Sequence, residues 1–325
     1  MSDPFAAIRA QLPAVRTLRR ALESGRVASS YLFEGPSGVD KQRAALALAQ
    51  TLVAGDDDEA ARRIAEGRHS DVRVFEPRAE GHGNIQVETL RNDILPFAQF
   101  APFEAKAAFL IFPQADVSFP QTHPEAANAL LKTLEEPRAG VHFVLLSERP
   151  DRLLPTIRSR CQSVRFSRLP LEVVDDILKQ HGVADGERGP ALALCDGRAD
   201  RALALARDGT GRELLELALE VDAAIGRRKP GTLVDAAERL AKSDDLPLAL
   251  ETLSTLYRDV ACAVLGLGDD ALAFRHAADR VRERASALDA ARAADRVARI
   301  RETADALEHN ANAEIAVDAL LFELR

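Results

Sequence analysis

The sequence predicts an α/β domain followed by an all-α region. Three observations carry this. Short apolar runs alternate with helix-like segments through the first half of the 325 residues. The runs are continuous, which is the texture of parallel strands buried on both faces. Beyond about Phe166 the strand-like runs stop, and apolar residues recur at helical spacing to the end.

Taken in order, Ser30–Glu34 reads as a short strand running into a glycine-containing loop, and Lys41–Val53 as an alanine- and leucine-rich helix suited to packing on a sheet. Val72–Phe75 is a second strand, and Ala107–Phe112 is a buried central one. Ala126–Glu136 reads as a helix closed by Pro137, because proline is not tolerated in a helix interior. His142–Ser147 is a further buried strand. Strands separated by helices imply a parallel sheet. After Phe166, Leu171–His181, Gly189–Cys195 and Ala199–Arg207 read as three short helices joined by glycine-containing turns. From Thr210 onward, Leu214, Leu217, Val221 and Ile225 share a helical face, as do Leu246, Leu250, Leu253 and Leu256. The last helix, Ala313–Leu324, carries Ile315, Val317, Leu320, Leu321 and Leu324. Changes of texture near 167 and 208 divide the chain into 1–167, 168–208 and 209–325.

A net charge of −8 argues against a free-standing nucleic-acid binder, while leaving room for a local basic surface. The first residues lack the apolar core of a signal peptide, and charged or polar residues break every apolar run long before a membrane span. A cytosolic protein with no membrane contact is the expectation. Cys161, Cys195 and Cys262 form no CxxC pair and are expected as small buried thiols. The run Asp56–Glu59 reads as a solvated loop leading into a surface helix.

The chemistry-bearing motif is Gly35–Gln42 (GPSGVDKQ), which keeps the frame of the phosphate-binding pattern G-x-x-x-x-G-K-[ST]. Gly35, Gly38 and Lys41 are retained. Position 40, a glycine in the pattern, is Asp40, and position 42, the magnesium-binding hydroxyl, is Gln42. A carboxylate beside polyphosphate repels it. A nucleotide-hydrolysing chain also needs carboxylates at the end of a second strand. The run Phe109–Phe112 is followed instead by Pro113 and Gln114, with Asp116 kept. Two separate catalytic elements are therefore defective. Lys41 reads as vestigial, either pairing with Asp40 or idle, although several loop amides remain available to phosphate.

Asn128–Pro137 (NALLKTLEEP) and Leu153–Cys161 (LLPTIRSRC) then make the chain recognisable. It closely resembles the clamp-loader branch of the AAA+ proteins, and within it the delta-prime family of bacterial DNA polymerase III. Tyr31–Gly35, Ile85–Glu88 with Leu90-Arg91, Arg201–Leu203 and Asn310–Ala313 match as well. The resemblance covers nearly the whole chain and is weakest over 54–84 and 210–300.

The resemblance implies a RecA-like AAA+ domain, a small helical lid and a C-terminal helical collar. It implies a subunit with no ATPase activity of its own, placed in a five-membered hetero-oligomeric ring. The implied partners are tau/gamma-type motor subunits, a delta-type clamp-opening subunit, the sliding clamp, and primer–template DNA touched through the assembly. It further implies that Arg160, in Ser159-Arg160-Cys161, is an arginine finger reaching a neighbour's ATP site, where a guanidinium meets the γ-phosphate. From spacing alone Arg160 would read as an ordinary surface ion-pair arginine. Ser159 and Cys161 are expected to pack and position. Ser147 lies where motors carry a γ-phosphate sensor. At the lid's own arginine position this chain has Asp200, with Arg201 one place off and structural.

Many relatives carry four zinc-binding cysteines after the phosphate-loop helix. Ala54–Asp71 has none, so no metal is expected. No cofactor is expected either. His69, His82 and His123 then read as hydrogen-bonding groups. Two other readings stand beside the clamp-loader scaffold: an active AAA+ ATPase motor of the same loader, opposed by Asp40, Gln42, Pro113 and Gln114, and an interaction module outside replication.

Overall fold

A computed structural model describes residues 3–77, 83–227 and 230–325. The chain forms two compact units, Met1–Val173 and Val174–Arg325. His82 lies outside the described residues.

The first unit is built on a parallel sheet of β1 (Ser30–Glu34), β2 (Val72–Val74), β3 (Ala108–Phe112), β4 (Val141–Ser147) and β5 (Gln162–Arg165), in the spatial order β2-β3-β4-β1-β5. The order is non-consecutive because each parallel step needs a crossover. β1 sits between β4 and β5, with Leu32 opposite Leu145 on one side and Ser163 on the other. Its side chains are buried through Phe33, as the unbroken apolar run predicted.

One sheet face presents Leu110, Phe112, Phe143 and Leu145 to the helix Pro124–Glu135, which contributes Ala126, Ala127, Leu130 and Leu134 to the same core. Leu90, Ile94 and Ala98, from the helical stretch after Gln86, close that core. The opposite side of the sheet receives the helix Lys41–Ala49, whose small buried residues Ala44, Ala45 and Ala47 permit close approach. This unit is the parallel-sheet α/β domain that the sequence leads one to expect.

Some boundaries differ from the sequence reading. The helix read as Lys41–Val53 is α-helical through Ala49 and π-helical over Gln50–Ala54. Leu12–Glu23 is a further helix, with Ala14, Val15 and Leu18 buried. The acidic run opens the helix Asp58–Ala65, where Asp57 accepts from the backbone N–H groups of Glu59 and Ala60 as an N-cap.

Among the described residues the second unit is helical throughout. The helix expected at Gly189–Cys195 begins earlier, at Asp185, and ends at Leu194. Gly189 is thus inside the helix rather than at its start. A β-carbon there would lie 2.7 Å from Cγ of His276, so the glycine answers a packing need. The longer helices Thr210–Arg227, Leu246–Val264 and Ala290–Glu308 enclose Asp222, Tyr257 and Arg296. The Tyr257 hydroxyl donates to Asp222 at 2.9 Å and accepts from Arg296 at 3.1 Å, and Arg284 donates to Asp222 at 3.0 Å. Burial, followed by the Asp222 charge, raises the Tyr257 phenol well above its ordinary range. No helix among the described residues is long and apolar enough to cross a membrane.

Candidate functional site

The C-terminal edge of a parallel sheet, where strand order reverses, is where open α/β folds place their ligands. Here that edge holds a cleft of about 300 Å³ lined by Ser37, Gly38, Asp40, Lys41, Gln42 and Arg43 from the loop and helix after β1. Pro113 and Gln114 follow β3, Glu76 follows β2, and Leu146 and Glu148 come from the end of β4. The sheet therefore brings the defective loop and the defective acidic strand into one place.

The loop keeps its shape without its sequence. Gly35 approaches β5 so closely that a β-carbon would meet the Phe166 carbonyl oxygen at 2.3 Å, and its N–H donates to the Ser147 carbonyl at 3.1 Å. Gly38 has φ 65°, and Asp40 has φ 68° and ψ 20°, a left-handed conformation favoured by glycine and tolerated by aspartate. Asp40 accepts from the Arg9 backbone N–H at 3.3 Å and pairs with Arg43 at 3.5 Å. Lys41 is only 8% exposed and donates through Nζ to the carbonyl oxygens of Gly35, at 2.5 Å, and Pro36.

Charge around the cleft is unfavourable to phosphate. Asp40, Glu76 and Glu148 line it against Lys41 and Arg43. Asp116 is buried and accepts the Glu148 N–H at 3.2 Å, which ties the ends of β3 and β4 together. The Ser147 hydroxyl is buried with no hydrogen-bond partner. Glu76 and Glu148 escaped the sequence reading. The signal that finds them is position: each lies just beyond the C-terminal end of a strand.

Arg160 is not among the residues lining this cleft. It follows the short helix Pro155–Arg158, which Ile157 anchors in the core. Its Nη1 donates to the Thr156 carbonyl at 2.8 Å and its Nη2 to the Glu135 carboxylate. Its side chain is 30% exposed. The two signature segments therefore touch through one ion pair. Arg158 is exposed, and Ser159 Oγ caps locally on the Thr156 carbonyl at 3.1 Å. Cys161 packs beside the core, and burial pushes its thiol up to about 12.

The expectation of three buried thiols needs correction. Cys195 is buried, whereas Cys161, between the helix Pro155–Arg158 and β5, and Cys262, in the helix Leu246–Val264, are half-buried. In the second unit Arg201 pairs with Glu251 at 2.6 Å, joining the helices Ala199–Ala206 and Leu246–Val264, and Asp200 lies 3.5 Å from Arg198. His123 is exposed, with Nδ1 3.1 Å from Thr122 Oγ1.

His69, Asp71 and Glu104 cluster near the start of β2, with ligand-type atoms within 4.8 Å of one another. Their bonds are internal. His69 Nδ1 accepts the Asp71 N–H at 3.0 Å, and the Asp71 carboxylate accepts the N–H groups of Phe103, Glu104 and Ala105. Glu104 takes a bidentate pair from Arg63 at 3.0 Å and a bond from Ser70. Those two partners hold the Glu104 carboxyl down at about 2.

The family described as "DNA polymerase III, delta subunit" matches residues 10–170. The chain is 26% identical over 322 residues to DNA polymerase III subunit delta' of Bacillus subtilis, covering 96% of this chain and 95% of that one. It is 35% identical over 142 residues to DNA polymerase III subunit delta' of Pseudomonas aeruginosa, covering 41% of this chain and 42% of the relative. Against DNA polymerase III subunit tau of Salmonella typhimurium it is 33% identical over 211 residues, covering 61% of this chain and 31% of the longer relative. A solved gamma-subunit-related protein from Thermotoga maritima covers 96% of this chain and 98% of its own, at 19% identity and a TM-score of 0.44. With that family match and a relative aligned almost end to end, the chain resembles the delta-prime subunits of DNA polymerase III over nearly its whole length.

Proposed function

We propose that this chain is the non-hydrolysing subunit of a replicative clamp loader. In this reading it sits with tau/gamma-type motor subunits and a delta-type subunit in a five-membered ring that loads the sliding clamp onto primer–template DNA. Residues 1–167 serve as the RecA-like domain, 168–208 as the lid and 209–325 as the collar that holds the ring. Gly35, Gly38 and Lys41 are remnants of a nucleotide site, and Arg160 acts in trans on a neighbour's ATP.

One observation carries the reading. The cleft that would hold nucleotide is faced by Asp40, Glu76 and Glu148, while its lysine is turned onto the loop's own carbonyl oxygens. Like charges at short range in a partly dry cleft repel polyphosphate. Where catalysis needs carboxylates to hold magnesium, Pro113 and Gln114 stand. Arg160 lies outside that cleft and its side chain is 30% exposed, which favours a role beyond its own chain.

The test is reconstitution with motor and delta-type subunits. The chain alone shows no ATP turnover. Arg160→Ala leaves the assembly intact on gel filtration, while clamp- and DNA-stimulated ATPase activity falls by about 10³, the lower end of what a trans finger supplies in better-studied systems. Unchanged turnover in an intact assembly removes the finger. Turnover by the isolated chain removes the non-hydrolysing reading.

A further inference from the structure

We infer that Glu135 is the positioning residue for Arg160, holding the guanidinium in a single orientation with two terminal N–H groups still free to meet a phosphate. The inference rests on the trans-finger reading above.

Donor arithmetic supports it. A guanidinium has five N–H groups and no acceptor. In Arg160 the Nε is buried without a partner, one Nη1 hydrogen goes to the Thr156 carbonyl, and one Nη2 hydrogen goes to Glu135. One hydrogen remains on each terminal nitrogen. Two donors, one on each terminal nitrogen, are the number that a bidentate phosphate contact uses. An arginine side chain carries much rotamer entropy, and a finger already held at both terminal nitrogens has less of it left to lose on engagement.

The placement of Glu135 gives a second, independent argument. It is the last residue of the helix Pro124–Glu135. A carboxylate there faces the negative end of the helix dipole, where a cation would be the stabilising choice. The helix itself therefore gains nothing from Glu135. Its contact with Arg160 supplies the compensation, joining the C-terminus of one helix to the turn after Pro155–Arg158. Both side chains are partly open, at 30% and 46% exposure, so the pair can orient the guanidinium without sealing it from a neighbour.

The test is a double-mutant cycle in the reconstituted assembly, with kcat and KM for ATP measured separately. Glu135→Ala lowers kcat by about three- to fivefold with KM unchanged, the scale of a partly exposed ion pair. Glu135→Gln keeps the shape and an acceptor oxygen, so it retains an intermediate rate and guards against a folding artefact. In an Arg160→Ala background, Glu135→Ala has no further effect on kcat. Equal losses in both backgrounds would mark Glu135 as merely structural and overturn the inference, and so would a rise in kcat on Glu135→Ala, which would mark it as a competitor. An Arg160→Ala assembly with full kcat removes the finger reading and this inference with it. Full kcat in Glu135→Ala beside a strong Arg160→Ala defect removes the inference alone.

Discussion

The ammonium of Lys41 donates to the carbonyl oxygen of Gly35 at 2.5 Å, six residues back along its own loop. In a working phosphate loop that cation meets ligand; here it meets backbone. Lys41→Ala therefore removes a charged hydrogen bond from a nearly buried site and lowers unfolding free energy by about 1.5–3 kcal/mol. Urea titration measures this. Calorimetric titration of the unaltered chain with magnesium-ATP at millimolar concentration gives no binding heat, and a clear isotherm would refute the vestigial assignment.

Gly35→Ala tests the close approach between the loop and β5. The added β-carbon would stand 2.3 Å from the Phe166 carbonyl oxygen, and Gly35 has φ 148°. Backbone must shift, at a cost of about 3 kcal/mol, as for other overpacked sites. The expected readout is a lower urea midpoint with unchanged slope. A wild-type midpoint would show that the contact yields freely.

Acid sensitivity at the start of β2 follows from Glu104. Its carboxyl is held at about 2 by Arg63 first and Ser70 second, below the ordinary 4.5. The folded value is depressed, so the unfolded chain binds the proton more readily. The stabilisation is present above pH 4.5 and is lost as pH falls toward 2. Glu104→Gln should flatten the fall in melting temperature over that interval. An identical acid profile in the variant would remove Glu104 as a contributor.

In the second unit the buried Asp222 is shared by Tyr257, Arg284 and Arg296. Asp222→Ala leaves guanidinium charge without its carboxylate in the helical core and costs about 3–5 kcal/mol. Thermal unfolding detects it, as a loss confined to the helical unit. A shift below 1 kcal/mol, within the range of an exposed pair, would show that water reaches the cluster.

Much of the fold was legible because the central strands are unbroken apolar runs. β1, β3 and β4 were found within one residue of their ends. β5 was not read, since it is an edge strand on which Val164 is the buried residue and Gln162, Ser163 and Arg165 are exposed. The helix Leu12–Glu23 buries only Ala14, Val15 and Leu18, a short apolar signal among many arginines. Loss of the phosphate-loop glycine and hydroxyl was visible in the sequence. The acidic lining from Glu76 and Glu148 was not, because those residues meet only through the strand order β2-β3-β4-β1-β5. Glu135 and Arg160 each lay in a recognised segment, yet nothing local says that one touches the other.

The left-handed turn at Asp40 is braced from within the chain, by the Arg9 N–H and the Arg43 guanidinium. A loop templated by ligand relaxes when that ligand departs, and signals the departure through the sheet beneath. This one carries its own counter-charge and rests on β4 and on the residue after β5. The sheet edge thus keeps its outline through bonds made within its own chain.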